Sequence, residues 1–197
     1  MNSRQQILIS GVGGQGILFV TRLLAEAAIL KGLPVLTSET HGMAQRGGTV
    51  VSHLKVGNFT SPLIRPGSAD GLLIMKAENA ALHGYFLKPG GWAVVNRPKD
   101  NTCDLTRCTV DADGIAVHLG NPKAVNLVML GFALARSPEM FCRADDMRRI
   151  LERRLTGNGP MRTAALDAFE AGCTAPSGED GSNVQDSFHT QGGQEDE

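Results

Sequence analysis

A chain of 197 residues, 42% hydrophobic and 20% charged, has the size and make-up of one well-packed domain with an appendage. No apolar run approaches the roughly 18 to 20 residues of a membrane span. The formal net charge of −1 conceals an asymmetry: residues 174–197 hold six acids (Glu179, Asp180, Asp186, Glu195, Asp196, Glu197) and no Lys or Arg, leaving 19 basic against 14 acidic residues over 1–173.

That net +5 suits a polyanionic ligand or an acidic partner and is too weak a bias to imply nucleic acid. The expected organisation is a folded body over 1–173 and an acidic tail over 174–197 that has too little to bury and is expected to be disordered. The first apolar run is broken by Ser10 and the glycines after it. It does not read as a secretory leader, and a cytoplasmic location is expected.

Gln6 to Ser10 predicts a short buried strand running straight into Gly11-Val12-Gly13-Gly14-Gln15-Gly16. From Gly14 to Lys31, apolar Ile17, Val20, Leu23, Leu24, Ala27, Ala28 and Leu30 recur at helical spacing, and Gly32 stands where a left-handed cap ends a helix. A strand beginning at Leu33-Pro34-Val35-Leu36-Thr37 completes a β-α-β unit, for which parallel strands and a right-handed crossover are expected. The polar stretch Ser38 to Thr49 precedes Val50 to Val56, whose alternation predicts a half-exposed strand.

Gly57-Asn58 reads as a turn, Gly71 to Met75 as a buried strand, Glu78 to Leu87 as a helix, Pro89-Gly90-Gly91 as a turn and Trp92 to Asn96 as another buried strand. A further strand falls near Arg107 to Asp111. Pro122 opens a helix to Arg136. Ala144 to Leu155 follows as an amphipathic helix whose Arg148, Arg149, Arg153 and Arg154 read as a solvated face. The fold class expected is α/β: a three-layer Rossmann-like domain with a mostly parallel sheet and an added edge strand or hairpin near 50–65.

Gly11, Gly13 and Gly16 give the spacing G-x-G-x-x-G at a strand-to-helix turn. Glycine there permits a sharp turn, a close approach of ligand or backbone, and tight helix packing, while free N–H groups at the helix start attract anions. Glu39, at the end of the second strand, stands near where a ribose-binding carboxylate of a dinucleotide site is expected. Against that reading, Gly14 and Gln15 make a loop able to pack on another chain. Moreover Glu39 is followed by Thr40-His41-Gly42-Met43-Ala44-Gln45-Arg46-Gly47-Gly48, a second polar, flexible loop expected at the same carboxyl edge. The motif alone therefore leaves a nicotinamide cofactor, another phosphate-bearing ligand and a protein contact open.

In the second loop Arg46 can reach a phosphate or carboxylate bidentately because Gly47 and Gly48 leave it room. His41 reads as a loop histidine or a general acid-base group. His53 and His118 alternate with apolar neighbours as structural residues, and His83 sits on a helix. Cys103, Cys108, Cys142 and Cys173 lack C-x-x-C spacing, which argues for reduced thiols and against zinc or iron–sulfur ligation by this chain.

Together, GVGGQG, HGMAQRGGTVVSHLKVG, the segment Asp113-Gly114-Ile115-Ala116-Val117-His118-Leu119-Gly120-Asn121 and Asn126 resemble the gamma-type subunit of the 2-oxoacid:ferredoxin oxidoreductases. The form of the second loop is most similar to the beta subunit of the indolepyruvate ferredoxin oxidoreductases. The resemblance spans about residues 5 to 155 and omits the tail. It implies an accessory subunit of a complex that turns a 2-oxoacid, coenzyme A and oxidised ferredoxin into acyl-CoA, carbon dioxide and reduced ferredoxin.

It implies further that thiamine diphosphate, magnesium and 4Fe-4S clusters reside in a large alpha subunit, that ferredoxin is met through the complex, and that the isolated chain is inactive. The expected site residues are then Gly11, Gly13, Gly14, Gln15, Gly16, Arg46, Gly47 and Gly48, touching coenzyme A phosphates, substrate or the partner, with no catalytic residue and no metal ligand in this chain. Self-association of the isolated chain is expected, and the alternative is a stand-alone NAD-binding dehydrogenase using Gly11, Gly13, Gly16 and Glu39.

Overall fold

The computed structural model describes residues 4–41, 48–97 and 108–176. In chain order the elements are β1 (Gln5–Val12), α1 (Ile17–Leu30), β2 (Val35–His41), β3 (Thr49–Val56), β4 (Ala69–Ile74), α2 (Asn79–His83), β5 (Leu87–Asn96), β6 (Cys108–Val110), α3 (Ala112–His118), α4 (Val125–Arg136), α5 (Ala144–Arg154) and α6 (Gly159–Thr174). Short 3-10 turns, Gly84–Phe86 and Pro122–Ala124, precede β5 and α4.

The strands form one sheet in the order β2-β3-β1-β4-β5-β6. β1, β4, β5 and β6 are parallel to one another, while β3 is antiparallel to both β1 and β2. The sheet is thus mostly parallel, as its alternating strand and helix pattern predicts. One placement differs. The strand expected at the edge, β3, is inserted between β1 and β2, so the first and second strands point the same way without pairing. The half-exposed strand expected over 50–56 is corrected with it: β3 is buried along almost its whole length, because strands pair on both its edges and apolar clusters cover both its faces, whereas the more exposed β2 takes the edge.

Helices cover the two faces unequally. One face packs Ile7, Ile9, Leu54, Leu73 and Val94 under α1, α3, α4, α5 and α6. The other, with Leu8, Val51, Leu72, Ile74 and Val95, is covered by α2, the 3-10 turn at Gly84–Phe86 and the 57–68 loop. A strand buried on both faces needs a continuous apolar run rather than alternation, which is what Ile7-Leu8-Ile9 supplies, each fully buried.

Helix α4 is buried from Val125 to Leu134, lying between the sheet and α6. The two helices approach so closely that a Cβ on Gly131 would sit 2.1 Å from the Phe169 carbonyl oxygen, and one on Gly172 would sit 2.0 Å from that of Val128.

Several boundaries are sharper than the sequence pattern. The first helix starts at Ile17, after Gly16 adopts φ 74°. The helix expected over 78–87 is only Asn79–His83 plus a 3-10 turn, and the turn expected at Pro89–Gly91 is an irregularity within β5, where pairing jumps from Leu87 to Trp92. Helices α3 and α6 were not among the expected elements, though each carries a legible start signal. Asp111 accepts from the Gly114 N–H and Asn158 from the Met161 N–H, with Pro160 in the first turn of α6. The body extends through α6 to Thr174, and the acidic segment 177–197 lies outside the described residues.

Candidate functional site

The carboxyl ends of β1 and β4 are locked together by the loop that follows β1. The Met75 N–H donates to the Ser10 carbonyl at 2.7 Å. Gln15 folds back so that its Oε1 accepts from the Val12 N–H at 2.8 Å and its Nε2 donates to the Met75 carbonyl at 3.1 Å. A Cβ on Gly11 would lie 2.5 Å from Gln15 Oε1 and 2.9 Å from the side chains of Ile17 and Met75. At Gly16 it would lie 2.1 Å from Asn126 Nδ2, which reaches over from α4. Two of the three motif glycines therefore face the protein's own packing.

Gly13 and Gly14 differ: both are exposed, and Gly14 has φ 94° with nothing within 4 Å of where a Cβ would stand. The bare backbone of the loop is here.

The two glycine-containing loops meet. The Gly13 N–H donates to the Gly48 carbonyl at 3.1 Å, joining the turn after β1 to the end of the β2–β3 connection. Arg46 and Gly47 lie outside the described residues, as does the side chain of His41. Of the expected site residues, the structure thus brings together Gly11, Gly13, Gly14, Gln15, Gly16 and Gly48.

This geometry departs from a dinucleotide site in two ways. The Val12 and Gly13 N–H groups point to Gln15 and Gly48, where a pyrophosphate would need donors free. Glu39 lies on β2, which β3 separates from β1, so it stands one strand spacing, about 4.8 Å, further out than in an uninterrupted β-α-β unit.

Beneath the loop lies a polar set that sequence reasoning missed. Asn79 Nδ2 donates to Ser10 Oγ and to the Gly11 carbonyl, both at 3.0 Å, and Ser10 Oγ is 2.9 Å from His83 Nδ1. At the end of β5, Asn96 Nδ2 donates to the Met75 carbonyl at 3.1 Å and to Asp113 at 2.8 Å, while its Oδ1 accepts from the Ala112 N–H at 2.9 Å. Asn79 and Asn96 thus act as braces, tying the ends of β1, β4 and β5 to α2 and α3. The available signal was a lone polar residue closing an apolar run: Ser10 after Ile7-Leu8-Ile9, Asn96 after Trp92 to Val95.

Burial pushes His83 below its ordinary value, against the Asn79 backbone carbonyl, which favours the charged form. Burial lowers His53 as well, aided by the nearby charges of Lys55 and His83.

Of the thiols, Cys142 is buried and Cys173 half-buried. Burial pushes Cys142 up to about 12 and Cys173 up to about 11, so both stay protonated. Among the described residues no three His, Cys, Asp or Glu side chains converge as a metal site, and no helix is long and apolar enough to cross a membrane. The arginines of α5 are not simply solvated. Arg148 donates to Glu170 of α6, with one contact at 2.9 Å, and Arg154 pairs with Glu26 of α1.

Comparison with known proteins points in one direction. A family model described as pyruvate ferredoxin/flavodoxin oxidoreductase matches residues 6–175. A protein of Methanothermobacter thermautotrophicus named "Indolepyruvate oxidoreductase subunit IorB" is 45% identical over 151 residues, covering 66% of this chain and 77% of its own. Its namesake in Archaeoglobus fulgidus is 34% identical over 150 residues, covering 65% and 75%. Among solved structures, the gamma subunit of a keto/oxoacid ferredoxin oxidoreductase from Geobacter sulfurreducens shares the fold, with a TM-score of 0.68, 22% identity, and coverage of 85% of this chain and 95% of that one.

Proposed function

Because the chain belongs to the pyruvate ferredoxin/flavodoxin oxidoreductase family, we propose that its two joined loops form the surface it presents to a thiamine-containing catalytic partner. The chain is an accessory subunit of a 2-oxoacid:ferredoxin oxidoreductase complex, of the indolepyruvate type. The complex oxidatively decarboxylates an aryl pyruvate, with indolepyruvate the preferred reading, transfers the acyl group to coenzyme A and passes the electrons to ferredoxin. Thiamine diphosphate, magnesium and 4Fe-4S clusters are assigned to the large alpha subunit, a reading supported by the lack of C-x-x-C spacing among this chain's cysteines. The assembly is assigned to the cytoplasm.

The observation that carries the reading is the Gly13 to Gly48 hydrogen bond. It joins the turn after β1 to the residue that ends the β2–β3 connection, with Gly13 and Gly14 bare enough for a ligand or a partner backbone to approach without meeting a side chain. On this edge the chain positions and excludes water; it supplies no acid, base or nucleophile. Arg46, within the second loop and followed by Gly47 and Gly48, is the cation proposed to meet coenzyme A phosphate or the oxoacid carboxylate. A stand-alone NAD-binding dehydrogenase is disfavoured by the committed Val12 and Gly13 N–H groups and by the displaced Glu39.

Arg46→Ala in the assembled complex tests the proposal. It is expected to raise the KM for coenzyme A or for the oxoacid, or to weaken assembly, by about ten-fold, the loss of one charge-assisted contact. Unchanged kinetics together with unchanged assembly would remove Arg46 from the site.

A further inference from the structure

Helix α1 begins without a side-chain cap. At Gly16 the backbone takes φ 74°, no side chain bonds to the first turn, and that turn holds no acid. The Phe19 and Val20 N–H groups share the Gly16 carbonyl at 3.0 and 3.1 Å, while among the described residues nothing accepts from the N–H groups of Gly16, Ile17 and Leu18. Three idle donors and the positive end of a 14-residue helix therefore stand together.

A side chain from α4 is brought to the same place. A Cβ on Gly16 would lie 2.1 Å from Asn126 Nδ2, so only glycine lets that amide rest against the helix start. Asn126 is 8% exposed, and among the described residues its side chain has no hydrogen-bond partner, although neither polar atom is sealed from solvent. Burying an amide without a partner is costly. The other polar side chains at these strand ends avoid the cost, since Ser10, Asn79 and Asn96 are all hydrogen-bonded. Helix α4 also starts with no side-chain cap and no acid in its first turn, which puts a second positive helix end at Asn126.

Two uncapped helix starts and one idle amide thus converge with no carboxylate in either first turn. The Val12 and Gly13 N–H groups are already taken, so the free donors begin only at Gly16 and form too short a row for two linked phosphates. They suit one compact anion. A terminal phosphate offers three oxygens to this fan of donors, where a carboxylate offers two.

We infer that the starts of α1 and α4 bind one terminal phosphate group of a small ligand, with the N–H groups of Gly16, Ile17 and Leu18 and the Nδ2 of Asn126 as donors. The inference rests on the reading of the glycine turn as a ligand-facing edge and deepens it: Gly13 and Gly14 leave the approach bare, and the phosphate is held at the helix start that follows them.

The test follows the backbone amides and the Asn126 side-chain amide of the full chain by proton–nitrogen correlation NMR, during titration with inorganic phosphate and separately with acetate, for the wild type and for Asn126→Asp. This variant keeps the shape of the side chain and sets a carboxylate where the anion is expected. In the wild type, phosphate is expected to shift the amides of Gly16, Ile17, Leu18 and Asn126 and to bind at least about ten-fold more tightly than acetate. In the variant, phosphate is expected to bind at least about ten-fold more weakly, while the Tm in phosphate-free buffer is unchanged or higher, because the new carboxylate lies at two positive helix ends. A packing role alone predicts the reverse, a lower Tm with phosphate binding unchanged, and that result would overturn the inference. So would phosphate shifts confined to other amides, or acetate bound as tightly as phosphate, which would mark a carboxylate site. If Asn126→Asp does not fold by circular dichroism, Asn126→Ser takes its place, with phosphate binding about ten-fold weaker as the expected result and unchanged binding as the contrary one. A failure here leaves assembly with the large subunit untouched, whereas a chain that binds phosphate but gives no activity with the large subunit sinks the accessory-subunit reading alone.

Discussion

Glycine serves opposite ends in two parts of this molecule. Between α4 and α6, Gly131 and Gly172 let two helix backbones touch, each missing Cβ standing about 2 Å from a carbonyl oxygen of the other helix. At the turn after β1, Gly13 and Gly14 are exposed, and in front of Gly14 there is open space. The first pair holds the subunit together; the second leaves backbone available to something outside it. Even within the motif the roles divide, since Gly11 and Gly16 behave like the buried pair, against Gln15 and Asn126. What stands before the absent Cβ separates a packing glycine from a binding one.

The contrast is broken most severely at the buried pair. Gly131→Ala forces a methyl group against a backbone oxygen that cannot rotate away, and is expected to cost about 3 kcal/mol of stability by urea unfolding. Gln15→Ala leaves the Val12 N–H and the Met75 carbonyl without their partner, an expected loss of about 2 kcal/mol. In the assembled complex, the same variant is expected to lower activity by misplacing Gly13 and Gly14. Full activity after the loss of Gln15 would show that the loop shape does not matter to the partner.

Gly14→Ala is the complementary case. It meets no atom but must hold φ 94°, so its stability cost is expected near 1 kcal/mol while its effect on assembly or on the KM for coenzyme A is larger.

The smallest effect concerns pH. Burial holds His53 and His83 below the ordinary value of 6.5, so the unfolded chain binds protons first as pH falls. Their contribution is complete above that value and is lost as pH drops through it towards their folded values. The Tm is expected to decline modestly from pH 7.5 to 5.5. In a His83→Gln variant the decline should flatten; an equal slope would place the pH dependence elsewhere.

Much of this was legible in the sequence because the signals were local. Ile7-Leu8-Ile9 announces a strand buried on two faces, Gly32 ends α1, and Pro122 marks the approach to α4. The insertion of β3 was not legible, because strand order depends on which of two adjacent apolar strands gains more by central burial, a tertiary competition that neither shows alone. Helix α6 was missed because, apart from Phe169, its buried positions are small, Ala165, Ala168 and Gly172, and suit close packing on α4 rather than a conspicuous apolar stripe. At the site, the loop glycines declared themselves, whereas the braces Asn79 and Asn96 act across 68 and 16 residues of chain. Only the fold makes them neighbours.

The central claim is that this chain contributes to oxoacid oxidation only as part of a complex. The most direct measurement is indolepyruvate- and coenzyme A-dependent reduction of ferredoxin by this chain alone, by the large thiamine-containing subunit alone, and by the two co-expressed. The account predicts activity from the pair and none from this chain by itself. Equal turnover by the large subunit with and without this chain would contradict it, as would saturable NADH binding and substrate oxidation by the isolated chain.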